Sequence, residues 1–188
     1  MTRKELFDRL RPIMPGQAFS VQAVAVVDGI ADDMGMPREG DAGLAEALSL
    51  IKQFEGCRLD AYPDPGTGGD PWTIGFGHTG PEVKKGLTWT QNQADKALAA
   101  DVAKFSSGVR ELTKAYPTSS NEYAALVSFA FNVGLGALRD STLLKKHRAG
   151  DKAGAAAEFG KWVNAGGKKL NGLVRRREAE AKVYRGQV

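Results

Sequence analysis

The sequence of 188 residues has one cysteine, Cys57, and two histidines, His78 and His147. A single cysteine excludes an intramolecular disulfide. With only two histidines beside it, a zinc site built from cysteine and histidine is not expected. We therefore expect no metal and no cofactor.

The sequence also lacks a long apolar run. Its most apolar window, residues 18–31, is interrupted by Gln22 and Asp28 and is too short to span a bilayer. Residues 1–5 carry mixed charge and do not have the pattern of a signal peptide. We expect a soluble protein made in the cytosol, so a substrate outside the membrane would require a separate release route.

The net charge of +4 is unevenly distributed along the chain. Residues 161–188 contain eight basic and two acidic residues. Such a basic segment suits a polyanionic partner such as a cell wall, a lipid surface or nucleic acid. It is also typical of a solvated helix face, and composition does not separate the two interpretations.

Residues 1–42 are interpreted as a short N-terminal helical extension of unknown role. Helical patterns cover residues 3–14 and 20–34, and a Gly- and Pro-containing linker is predicted at 36–43. Residues 43–188 form the main domain.

The main domain is predicted to be of the α+β class. A helix at 44–55 precedes two β-rich stretches, 57–62 and 71–78, which flank a loop and predict a small antiparallel hairpin or sheet. Helices then follow to the end of the chain: from Thr90 toward Phe105, 120–133, from 140 onward, 151–162 and 173–184. A small sheet lobe beside a larger helical lobe leaves a cleft between them as the natural ligand site.

Glu55 and Asp64 are the first candidate catalytic pair. Glu55 ends the 44–55 helix beside Phe54, where apolar neighbours and the helix C-terminus disfavour the charged form, as a general acid requires. Asp64 precedes Pro65 in an open turn, which suits an ionised carboxylate. Thr73 adds a hydroxyl that can hold a water molecule.

The motifs around these residues resemble those of the phage-type lysozymes, glycoside hydrolase family 24. The resemblance covers residues 44–186 and rests on several separate motifs in the expected order. They are Glu55-Gly56-x-Arg58-Leu59-x-Ala61-Tyr62-x-Asp64, the run from Trp72 to Gly80, the run from Ser128 to Gly134 with Ser141-Thr142-Leu143-Leu144, Phe159-Gly160-Lys161-Trp162, Gly166-Gly167 and Leu173-Val174-Arg175-Arg176-Arg177-x-x-Glu180.

This resemblance implies a lysozyme-like fold that hydrolyses the β-1,4 bond between N-acetylmuramic acid and N-acetylglucosamine. It places the catalytic acid at Glu55 and the residues that position water at Asp64 and Thr73. An inverting reaction is expected, with carboxyl groups about 6.5–9.5 Å apart. The loop 65–71 is longer than in the shortest family members and offers Asp70 as a rival second acid; we favour Asp64.

Tyr62, His78 and Asn132 are the candidate substrate-binding residues. His78 is expected to support the site through a hydrogen bond to backbone or to Glu55. Asn132, near a predicted helix end, either binds sugar amides and hydroxyls or simply ends the helix. Cys57 is interpreted as a small core residue.

The expected partner is the glycan strand of peptidoglycan, with an anionic envelope surface as a second partner of the C-terminal helix. No nucleic-acid partner is expected, and the protein is expected to be a monomer. Synthesis in the host cytoplasm and release to the periplasm through a holin-type lesion follow from the family resemblance. The alternatives are a lytic transglycosylase, a non-catalytic peptidoglycan-binding module, and membrane disruption by the cationic C-terminal helix.

Residues 75–80 also match G-x-G-x-x-G, the dinucleotide-binding pattern. That pattern requires a helix to begin at once and lead to a parallel strand. Pro81 and Gly86 intervene here, and the next helix is predicted only near Thr90. We interpret these glycines as a tight turn of the sheet.

Overall fold

The computed structural model describes residues 39–63 and 70–187. The chain divides into two units, residues 1–43 and 44–188. The elements below belong to the second unit, together with residues 39–43, which lead into it. The helices predicted at 3–14 and 20–34, and Asp64, lie outside the described residues.

The first described helix, α1, runs from Glu39 to Phe54. It therefore begins five residues before the predicted start, and the linker predicted at 36–43 is wrong over 39–43. The linker was predicted from its Gly and Pro residues, but helix propensity is a weak guide because tertiary packing can override it. Gly43 lies buried within this helix. The apolar stripe predicted for this helix is present, since Ala47 and Ile51 are buried and Leu44, Leu48 and Phe54 are partly buried against the core.

Three antiparallel strands follow in the order β1-β2-β3: β1 Arg58–Pro63, β2 Trp72–Gly75 and β3 His78–Thr79. Tyr62 of β1 lies opposite Thr73 of β2, and Thr73 lies opposite Thr79 of β3. The predicted antiparallel sheet is confirmed.

The glycines of the G-x-G-x-x-G match form a turn of the sheet, as predicted. Gly75 and Gly77 have φ angles of 65° and 92°, in the region that favours glycine, and they connect β2 to β3. No helix follows until Gln91. The dinucleotide-binding interpretation is therefore excluded.

Two long helices carry capping boxes at their N-termini. Helix α2 spans Gln91–Thr113 with Thr90 as its N-cap, and helix α3 spans Ser120–Val133 with Ser119 as its N-cap. The bounds of α3 are those predicted. Its residues 123–130 are all buried, because α3 packs between α2 and the last helix in the centre of the helical lobe.

The rest of the chain is formed of short elements and one longer helix. They are α4 Leu135–Asp140, α5 Thr142–Arg148, α6 Lys152–Glu158, a 3-10 turn at Phe159–Lys161, β4 Asn164–Ala165, β5 Lys168–Lys169 and α7 Asn171–Tyr184. Helix α4 and the β4–β5 hairpin were not predicted. The six residues of α4 are too few to show a helical period. The hairpin depends on Gly166 and Gly167 in its turn, with φ angles of 57° and 74°.

The hydrophobic core lies in the helical lobe. Phe129 of α3 makes edge-to-face ring contacts with Phe159 and Trp162, at centroid distances of 5.4 and 5.2 Å. Phe159 continues the cluster to Tyr184 of α7. A small antiparallel sheet region followed by a larger helical region confirms the predicted α+β class.

Among the residues described, no helix combines the length and apolar character needed to cross a bilayer.

Candidate active site

Glu55 follows directly after α1. Its backbone N–H still donates to the Ile51 carbonyl at 3.0 Å, so the residue is held at the helix terminus. Its side chain is 27% exposed, and Oε1 accepts a 2.6 Å hydrogen bond from Nη1 of Arg176. The Arg176 side chain is only 4% exposed. A buried permanent cation therefore holds the carboxyl group proposed as the acid.

Arg176 is itself held by groups of α3 and α7. Its Nε donates to Oε1 of Glu180 at 3.2 Å, and Nη2 donates to the Ser128 carbonyl at 3.4 Å. Ser128 Oγ donates to the same Glu180 oxygen at 2.8 Å. The guanidinium is thereby fixed on the side away from Glu55.

Arg177 extends this cluster to Asn132. Its Nη2 donates to Asn132 Oδ1 at 2.9 Å and to Glu180 Oε1 at 3.2 Å. Burial lowers the pKa of Arg177 to about 10, although the charge of Glu180 opposes the shift, so the group stays charged at neutral pH. Glu55 and Asn132, far apart in sequence, are thus joined through Arg176, Glu180 and Arg177.

Thr73 and Tyr62 lie together on the sheet. Thr73 is buried, and its backbone is paired with Tyr62 on one side and Thr79 on the other. The guanidinium of Arg58 lies 4.2 Å from the centroid of the Tyr62 ring, a cation–π contact that holds the ring.

His78 contacts two carboxylates, and neither belongs to Glu55. Nδ1 lies 2.6 Å from Asp101 Oδ2, and Nε2 lies 2.7 Å from Glu82 Oε1. The expectation of a hydrogen bond to Glu55 or backbone is therefore wrong. Desolvation lowers the pKa of His78, but the hydrogen bonds and charges of Asp101 and Glu82 outweigh it and raise the pKa overall. His78 links β3 to α2.

The choice between Asp64 and Asp70 remains a prediction, because Asp64 lies outside the described residues. Asp70 is exposed and lies two residues before β2. It lines a cavity of about 490 Å³ together with Trp72 and Thr79. The cavity adjoins the strand that carries Thr73.

Comparison with known proteins identifies the family. The family model for phage lysozyme matches residues 52–180, more than half of the chain. The chain belongs to the phage lysozyme family.

Several relatives support this assignment. An endolysin of Bacillus phage B103 is 47% identical over 137 residues, which cover 73% of this chain and 51% of that endolysin. The solved endolysin from Escherichia coli O157:H7 phage FAHEc1 is 41% identical, with a TM-score of 0.67 over 76% of this chain and 92% of that one. The muramidase domain of SpmX from Asticaccaulis excentricus is 34% identical, with a TM-score of 0.66 over 73% of this chain and 93% of that domain. The chain spans about half the length of the Bacillus phage endolysins that it matches.

The basic residues of the C-terminal segment are divided between two environments. Arg176 and Arg177 are buried and belong to the cluster beside Glu55. Arg175 and Lys182 of α7 are exposed, as is Arg185 directly after the helix. Counting all of these residues as surface charge was therefore wrong for the two buried arginines.

Sequence reasoning also missed the roles of Arg176 and Glu180. The signal was present: two arginines followed by a glutamate three and four residues later lie on one helix face, beside the small and apolar Ala181 and Val183. Cys57 was placed wrongly in the core. It is exposed, because α1 ends at Phe54 and the chain crosses to β1 over the surface.

No group of three or more His, Cys, Asp or Glu side chains among residues 39–63 and 70–187 could hold a metal ion.

Proposed function

We propose that this chain is an endolysin muramidase that hydrolyses the β-1,4 bond between N-acetylmuramic acid and N-acetylglucosamine in peptidoglycan. The observation that carries the proposal is the partly exposed Glu55 carboxyl group, fixed at the end of α1 by buried Arg176. Membership of the phage lysozyme family supports it, as does the likeness to a solved muramidase domain.

In the proposed reaction, Glu55 donates its proton to the leaving glycosidic oxygen. Asp64 and Thr73 position a water molecule for attack on the opposite face of the sugar, so the product has inverted configuration. The backbone pairing of Thr73 on both sides supports this role, because a hydroxyl on a central strand has a fixed origin.

We assign Tyr62 and Asn132 to glycan binding and His78 to support of the sheet. The Tyr62 ring is partly exposed and braced by Arg58, which suits stacking on a sugar. The Asn132 side chain is held by Arg177, with its amide NH₂ group left to donate. His78 holds β3 against α2 through Asp101, which maintains the sheet that carries Thr73.

The test is digestion of purified peptidoglycan by the full chain, with mass analysis of the fragments. Wild type should release fragments with reducing ends, and Glu55→Gln should lower the rate by about 10²–10⁴-fold, the range for a general acid. Glu46→Gln on the same helix is the matched control and should keep full activity.

Three results would contradict parts of the proposal. Anhydro ends would indicate a lytic transglycosylase, and sedimentation with peptidoglycan without cleavage would indicate a binding module. Equal rates for wild type and Glu55→Gln would remove Glu55 as the acid. The second acid is tested by Asp64→Asn against Asp70→Asn, and we expect only the former to abolish cleavage.

A second, weaker partner is proposed for α7: an anionic envelope surface. The exposed Arg175 and Lys182 lie two turns apart on α7, and the exposed Arg185 directly follows the helix, which supports the proposal. Replacing all three with Gln should weaken sedimentation with anionic vesicles and leave peptidoglycan cleavage unchanged. Equal sedimentation of the variant and the wild type would remove this partner.

We further propose that residues 1–42 are a separate extension, that the protein is a monomer, and that it reaches peptidoglycan from the host cytoplasm through a holin-type lesion. The relatives named endolysins support a role in lysis, and the route is the one that the family resemblance implies. Expression in Escherichia coli should cause lysis only when a pore-forming partner is coexpressed. Lysis without that partner would overturn the route, and light scattering after gel filtration checks the monomer.

A further inference from the structure

Glu180 is a buried acid that the proposed reaction does not yet use. Its side chain is 0% exposed, and α7 places it one turn after Arg176 and Arg177. Oε1 accepts from Ser128, Arg176 and Arg177, and Oε2 lies 2.9 Å from Arg177 Nε. Arginines are donors only, so this environment suits a carboxylate rather than a protonated carboxyl group. Burial acts in the opposite sense and raises the pKa of Glu180.

Within residues 39–63 and 70–187, the ionisable groups facing this cluster come from two elements. Helix α7 contributes Arg176, Arg177 and Glu180, and the end of α1 contributes Glu55. The side chains from α3, Ser128 and Asn132, are neutral. In the α6 and 3-10 segment beside α7, Glu158 and Lys161 pair with each other at 2.9 Å.

The charge balance of the cluster bears directly on Glu55. Two guanidinium groups and one carboxylate leave one net positive charge next to the Glu55 carboxyl. If Glu180 were neutral, two positive charges would occupy the same buried space. Because charges interact strongly where water is excluded, the second charge would favour ionised Glu55. An ionised Glu55 has no proton to give to the leaving oxygen.

The N–H donors of Arg176 are also divided between Glu55 and Glu180. Nη1 donates to Glu55 and Nε donates to Glu180, and the Ser128 carbonyl accepts from Nη2. The anchor at Glu180 therefore restrains the guanidinium from turning a second N–H toward Glu55. A bidentate contact would hold the carboxylate form more strongly.

We propose that Glu180 is a positioning residue of the reaction: its buried carboxylate balances Arg177 and shares Arg176, so that Glu55 can carry the catalytic proton. This inference rests on the proposed function, in which Glu55 is the acid. Glu180 itself touches no substrate.

The experiment compares the full chain with Glu180→Gln, Glu180→Asp and the control Glu178→Gln, which removes an exposed charge from the same helix. In Glu180→Gln, the basic limb of the pH profile of kcat/KM for peptidoglycan should move to lower pH by about one unit. At pH values above this limb, the rate should then be about tenfold lower than that of the wild type. Glu180→Asp keeps the charge and should stay within a small fraction of a unit of wild type, as should Glu178→Gln. A merely structural role would lower the rate without moving the limb.

A second readout does not depend on catalysis. NMR titration of ¹³C-labelled Glu55 should show the same downward shift in Glu180→Gln. If that variant does not fold, Ser128→Ala is measured instead. It removes the 2.8 Å hydrogen bond to Glu180 and should shift the Glu55 midpoint in the same direction by a smaller amount.

The outcomes separate the two proposals. An unmoved Glu55 midpoint in the variant that folds overturns the role of Glu180, even if the wild type cleaves peptidoglycan. A shifted midpoint in a protein that does not cleave peptidoglycan overturns the proposed function and leaves the coupling between Glu180 and Glu55 standing.

Discussion

Helices α3 and α7 lie side by side and run in opposite directions, and each end of the pair holds a buried polar cluster. At the site end, Ser128 and Asn132 of α3 meet Glu180 and Arg177 of α7. At the far end, the Tyr184 hydroxyl group of α7 contacts the His147 ring of α5. The Lys152 ammonium group lies between His147 and Glu122 of α3 and contacts both.

The far end keeps an ionisable group neutral. Thr118 donates its hydroxyl hydrogen to the Tyr116 carbonyl, so its oxygen accepts from His147 Nε2 at 2.9 Å. Nδ1 is then the acceptor for the Tyr184 hydroxyl at 2.7 Å, with the Lys152 ammonium 3.2 Å away. Desolvation, and next the charge of Lys152, lower the pKa of His147 to about 4.

The two ends differ in how neighbouring cations act on a buried ionisable group. Glu180 and His147 are both inaccessible to solvent, at 0% and 1% exposure. Cations flank both. Cations favour the charged form of an acid and the neutral form of a base, so the two arginines oppose the effect of burial on the pKa of Glu180, whereas Lys152 adds to the effect of burial on the pKa of His147.

The largest expected effect on stability is at the site end. Arg177→Met removes one of the two cations of Glu180 and the donor to Asn132, so the free energy of unfolding should fall by about 3–5 kcal/mol. Denaturant unfolding at pH 7 measures it. Arg175→Met, the exposed neighbour on the same helix, should change stability by less than about 0.5 kcal/mol. Equal effects for the two variants would mean that the buried cluster contributes no more than surface charge.

The next largest effect is expected at His147, and it is tested by the dependence of stability on pH. The unfolded chain binds a proton at His147 near pH 6.5, whereas the folded chain resists protonation until about pH 4. Stability should therefore fall as the pH drops through this window, by up to about 3 kcal/mol from this group. His147→Gln should flatten that part of the curve, measured by denaturant unfolding at pH 7, 5.5 and 4. An unchanged slope would place the acid sensitivity elsewhere.

His78 should show the opposite dependence, because its two partners are acids. Its folded pKa is raised, so its contribution is fully present below pH 6.5 and is lost as the pH rises through the folded value. His78→Asn should cost about 2 kcal/mol near pH 5.5 and much less at pH 9. Asp101→Asn, at the less exposed partner, should reproduce more of this loss than Glu82→Gln. A loss independent of pH would mean that ring packing against Trp89, not charge, holds His78.

The smallest effect is expected away from both clusters. Cys57 is exposed, and its Sγ lies 3.8 Å from Gln91 Nε2, a weak contact. Cys57→Ser should change the melting temperature by no more than a few degrees, equivalent to about 0.5 kcal/mol or less. A larger loss would restore the interpretation of Cys57 as a core residue.

Local patterns predicted much of the fold. The Thr90–Gln93 capping box and the bounds of α3 were correct because a cap and a period depend on neighbouring residues. The antiparallel sheet was correct for the same reason. Helix α4 and the β4–β5 hairpin were missed because each is too short to show a period.

The candidate site was likewise predictable only in part. Glu55, Thr73 and Asn132 were recognisable from their motifs, and the structure locates all three. Arg176 was part of a recognised motif, but its contact with Glu55 spans 121 residues of sequence. His78 was assigned the wrong partner because Asp101 lies on helix α2, 23 residues away from His78 in β3.

The sequence by itself determined the family, the α+β class and the Thr90–Gln93 capping box, and it named Glu55 as the candidate acid at the end of α1. Only the tertiary structure decided which charges are buried and which of them meet. Arg175, Arg176 and Arg177 are adjacent and chemically identical, yet one is exposed and two are inside. The difference arises because the packing of α7 against α3 turns two of the three side chains away from water. Their partners Glu55 and Asn132 come from distant parts of the chain.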